Sequence, residues 1–214
     1  MWPYVSLSPP HNPILTLFTD CKTLAPVWEK VAADFAAEPS VLIAKVDAEA
    51  ENAKATAKDQ EVTGYPTIKF FPKGSMTPET YQSGRDEASI VDFMNSKAGT
   101  FRVVGGGLNA KAGTIDAIDE IIAKYISAGG IKDAEAVTQE IKKAAVDVKD
   151  KSVDYYLRAL AKITGNPEYA LKEQTRLAGL LKKGGLAPEK IDEMTKRSNI
   201  LARFLAPENE KTEL

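Results

Sequence analysis

The chain has 214 residues, of which 43% are apolar and 27% charged, with a formal net charge of −2. This is apolar material enough for a core and length enough for one large domain or two small ones. The charge balance lacks the basic footprint of a nucleic-acid binder, and no apolar run approaches the ~20 residues of a membrane-spanning helix.

The start, "MWPYVSLSPPHNPILTLF", has no basic region and is interrupted by prolines, so it reads as a poor secretory signal. "PILTLF" (13–18) is a short apolar strand run. The next segment, "CKTLAPVWEKVAADFAAE" (21–38), has helical spacing at Leu24, Val27, Trp28, Val31 and Phe35. Pro26 falls five residues inside that pattern, where it removes a hydrogen bond. "SVLIAKVDA" (40–48) reads as a buried strand and "EAENAKATAKD" (49–59) as a small helix. "PTIKFF" (66–71) is a strand, "PKGSMTP" (72–78) a turn, "ETYQSG" (79–84) a short strand and "DEASIVDFMNSK" (86–97) a closing helix. Strands that alternate with helices predict an α/β layer fold with a partly parallel sheet.

The pattern then changes. "GTFRVVGGGLNAKAGT" (99–114) holds five glycines and reads as a linker. Downstream, every segment is helical. Ile115, Ile118, Ile122 and Tyr125 share one face, as do Val137, Ile141, Ala145 and Val148. "SVDYYLRALAKIT", "NPEYALKEQTRLAGLLKK" and "APEKIDEMTKRSNILARFLA" follow, the last with proline at its first turn. Five short helices over about 90 residues predict a small all-α domain whose apolar stripes are core. The expected boundaries are 1–98, 99–113, 114–206 and a tail at 207–214. Lys211, Thr212, Glu213 and Leu214 form an end of the KDEL retrieval type, with Thr212 in place of Asp.

"CKTLAPVWEKVA" resembles the segment after the active site of protein disulfide isomerases, which have the thioredoxin fold. In that family a strand leads into Cys-Gly-His-Cys, followed by Lys-x-Leu-x-Pro. Cys21 matches the second cysteine, Lys22 the lysine and Pro26 the proline at which the helix kinks. "VTGYPTIKFFPKGS" (62–75) is the most specific match, with Tyr65–Pro66 at the family's cis-proline turn, a bond geometry affordable mainly before proline. "YQSGRDEASIVDFMN" matches the final strand and helix, with Arg85 where the family places an arginine near its thiols. The second half is similar to the helical D domain of Windbeutel-type proteins and of fungal and plant disulfide isomerases. The resemblance implies a lumenal protein of the endoplasmic reticulum. Its partners would be unfolded secretory clients, with glutathione as a thiol partner, no nucleic acid and no membrane; an oligomer stays open. Neither a cofactor nor a metal is implied.

The chain departs from the family in front of Cys21, where "LFTD" stands instead of the expected Ala-Pro-Trp-Cys-Gly-His. Cys21 is the only cysteine, so an internal disulfide is excluded. Only thirteen residues precede "ILTLF", and the family's first strand and helix have no counterpart, so the thioredoxin-like domain is expected to be incomplete. The strand at Val41–Val46 is then expected at an open sheet edge, which invites association. Disulfide exchange needs an attacking thiolate and a resolving thiol. Three readings follow. The first is a disulfide isomerase in which Cys21 stands at the resolving position and Arg85 tunes its pKa. The second is a non-redox chaperone that binds clients, and the third is a truncated form of a dithiol enzyme.

Overall fold

The computed structural model describes residues 12–17, 23–48, 50–128, 130–146, 148 and 150–205. The first unit contains β1 (Asn12–Leu17), α1 (Ala25–Asp34), β2 (Val41–Val46), α2 (Lys54–Asp59), β3 (Thr67–Phe70), β4 (Glu79–Thr80) and α3 (Glu87–Ala98). The strands lie in the order β2-β1-β3-β4. β1 runs parallel to β2 and antiparallel to β3, and β3 is antiparallel to β4. The sheet is therefore partly parallel, as the alternating pattern predicted. Among the described residues β2 is the edge strand, with Leu42, Ile43, Ala44 and Val46 half-buried.

α1 begins at Ala25, later than the pattern predicted, and this places Pro26 in its first turn. Its missing N–H costs nothing there, because the first amides of a helix have no intrahelical partner. Leu24, Trp28, Val31 and Phe35 face inward and pack with Val41, Ile68, Phe70, Tyr81, Ile90, Val91 and Met94. The indole Nε1 of Trp28 donates to the Ala44 carbonyl at 3.2 Å, which pins α1 to β2. A smaller cluster of Ala48, Ala57 and Phe71 joins α2 to the partly buried Ala44, Val46 and Val62. The strand expected over 79–84 is shorter, Glu79–Thr80. The small helix expected from residue 49 starts at Lys54.

The Gly-rich stretch read as a linker is built structure as far as Asn109, where the chain divides into two compact units. Arg102 bridges to Leu108 in a short hairpin. The Asn95 carboxamide accepts from the Arg102 amide at 2.9 Å and donates to the Arg102 carbonyl at 2.7 Å. Arg102 is 3% exposed, and its guanidinium binds Glu38 Oε1 at 2.7 Å and the Gly106 carbonyl at 2.8 Å. A buried charge of this kind is tolerated only when it is paired and hydrogen-bonded.

The second unit holds α4 (Asp116–Ser127), α5 (Ala134–Ala144), α6 (Ser152–Gly165), α7 (Tyr169–Lys183) and α8 (Pro188–Arg203). Their core includes Ile118, Ile122, Val137, Ile141, Tyr156, Leu160, Leu177 and Leu201. The Tyr156 hydroxyl donates to Asp119 and accepts from the Ile115 amide at 3.2 Å, which fixes the entry to α4. Arg203 pairs with Asp119 at 3.0 Å and so ties the end of α8 to the same point.

Candidate functional site

β3 starts directly after Pro66, and its first residue, Thr67, lies opposite Leu17 at the end of β1. The end of β1 therefore lies beside the start of β3 and the Tyr65–Pro66 turn, whose peptide bond is cis. The Thr67 hydroxyl closes the turn by donating to the Gly64 carbonyl at 2.6 Å. Pro66 is half-buried, while Tyr65 is 46% exposed. The turn thus presents an aromatic ring to solvent.

Arg85 is exposed and stands one residue before α3 is capped. Asp86 is that cap: its carboxylate accepts from the Ser89 amide at 2.9 Å and from the Ser89 hydroxyl. These bonds hold its carboxyl below the usual carboxylate range. The Tyr81 hydroxyl donates to the Gly84 carbonyl at 2.6 Å and sets the path from β4 into α3. Burial pushes the Tyr81 phenol up. Among the described residues no hydrogen bond or ion pair joins Arg85 to the Tyr65–Pro66 turn. Cys21 and Lys211–Leu214 lie outside the described residues. No group of three or more metal-ligating side chains occurs among the described residues.

One cluster was not anticipated from the sequence. Asp34 is 4% exposed at the end of α1, and its Oδ1 accepts from the Gly105 amide at 2.9 Å. Two signals of it were present in the sequence: Asp34 interrupts the apolar face of α1, and Arg102 is a lone charge within a Gly- and Val-rich run.

A partly parallel sheet flanked by helices, with a cis-proline turn at the end of its central strand and a five-helix unit after it, defines a thioredoxin-type chain with a helical extension. The thioredoxin family model matches residues 16–96, and the model of the endoplasmic reticulum protein ERp29 C-terminal domain matches residues 113–204. The protein disulfide-isomerase tigA of Aspergillus niger is 51% identical over 93% of this chain and 55% of its own length. The protein disulfide-isomerase erp38 of Neurospora crassa is 54% identical over 91% of this chain and 53% of its own length. A probable protein disulfide-isomerase A6 of Medicago sativa is 37% identical over 86% and 50%. The chain joins a thioredoxin-family segment to an ERp29-type C-terminal helical domain and is similar over most of its length to relatives named protein disulfide-isomerase. It spans about half the length of the curated relatives it matches.

Proposed function

We propose that this chain acts in secretory protein folding in the lumen of the endoplasmic reticulum, by engaging extended segments of unfolded clients at the Tyr65–Pro66 turn. The exposed Tyr65 ring on the cis-proline turn, at the end of the sheet where β1 stops opposite Thr67, supports this reading. Relatives named protein disulfide-isomerase support the lineage. The tail Lys211–Leu214 serves retrieval in this reading, and Arg85 favours the thiolate of Cys21 by its positive charge.

With a single cysteine in the chain, Cys21 attacks one sulfur of a client disulfide as thiolate. It forms a mixed disulfide and expels the other client sulfur as thiolate. Glutathione thiolate then releases Cys21 and leaves a glutathione–client disulfide. The chain has no internal thiol to complete a dithiol cycle. That count favours a second reading, in which the chain binds clients without redox chemistry. Insulin reduction with glutathione, run on the chain and on Cys21→Ala, separates the two. Turnover that disappears in Cys21→Ala is expected for thiol chemistry. Equal suppression of client aggregation by both proteins, with no reduction by either, would establish the binding reading instead.

A further inference from the structure

We draw no further inference here: the strongest candidate, the exposed apolar patch of Phe101, Val103 and Val104 on the hairpin that Glu38 and Asp34 anchor through Arg102 and Gly105, carries nothing because nothing in the structure shows what covers it.

Discussion

At the scale of single residues, Tyr155 shows how an environment fixes a protonation state. The Arg158 and Arg197 guanidinium groups lie over its ring, with their central carbons 5.7 and 5.3 Å from its centroid. These contacts are cation–π in character. The hydroxyl is buried without a hydrogen-bond partner among the described residues. Burial pushes the phenol up to about 12, with Tyr169 and Glu173 adding, while both arginines pull it down. Burial outweighs the two cations because they meet the ring face rather than the oxygen. A pKa raised on folding means that the folded state holds its proton longer. The contribution to stability is complete below the ordinary tyrosine value near 10 and is lost as the pH rises from there through about 12. A tyrosinate absorbance titration should therefore lose a component near pH 12 in Tyr155→Phe. An unchanged alkaline limb in that variant would show that Tyr155 ionises like an exposed phenol.

At the scale of elements, two glycines of the helical unit predict opposite outcomes. Gly113 has φ +78°, and a Cβ there would lie 2.6 Å from Cβ and 3.2 Å from Cα of Lys196. Those atoms belong to α8 near its backbone and cannot swing aside. Gly113→Ala should destabilise the unit by about 1–3 kcal/mol, as expected for a side chain forced into the left-handed region. Gly179 lies exposed within α7 with open space around it, so Gly179→Ala should stabilise by about 0.5–1 kcal/mol. Denaturant midpoints of the two variants shifting in opposite directions would confirm both assignments; a neutral Gly113→Ala would refute the close approach. The same contrast explains what was legible in the sequence. Apolar spacing finds α1 and α4–α8, and β-branched runs find β2 and β3, because each signal is local. Tyr65–Pro66 was legible because its motif is contiguous. The hairpin at 101–109 was not, because its glycines read as freedom while its anchors are remote: Glu38 lies 64 residues from Arg102 and Asp34 lies 71 from Gly105. The pairing of Leu17 with Thr67, which sets the site beside β1, is likewise a property of register and not of any short segment.

At the scale of the whole molecule, the chain has separate cores with no shared member. Ile90, Val91 and Met94 belong to the first, and Leu160, Ile141 and Leu201 to the helical one. Contacts cluster into two units that divide between Asn109 and Ala110. Mutational effects at sites without common partners add independently. Leu160 is 1% exposed, and truncating such a side chain removes its transfer free energy and leaves a cavity. Leu160→Ala should therefore destabilise the helical unit by about 2–5 kcal/mol. Native-state amide exchange in the full chain should show faster opening at Ile118, Ile122 and Ile141, with Ile90, Val91 and Met94 unchanged. A core truncation at Val31, which is fully buried in the first unit, should show the reverse. If either variant accelerated exchange equally in both sets of amides, the two cores would be one cooperative unit, and the Tyr65–Pro66 turn would be coupled to the folding of the helical unit. If the effects stay local, the helical unit can vary in stability without altering the Tyr65–Pro66 turn, and a binding role for either unit can be assigned by mutating it alone.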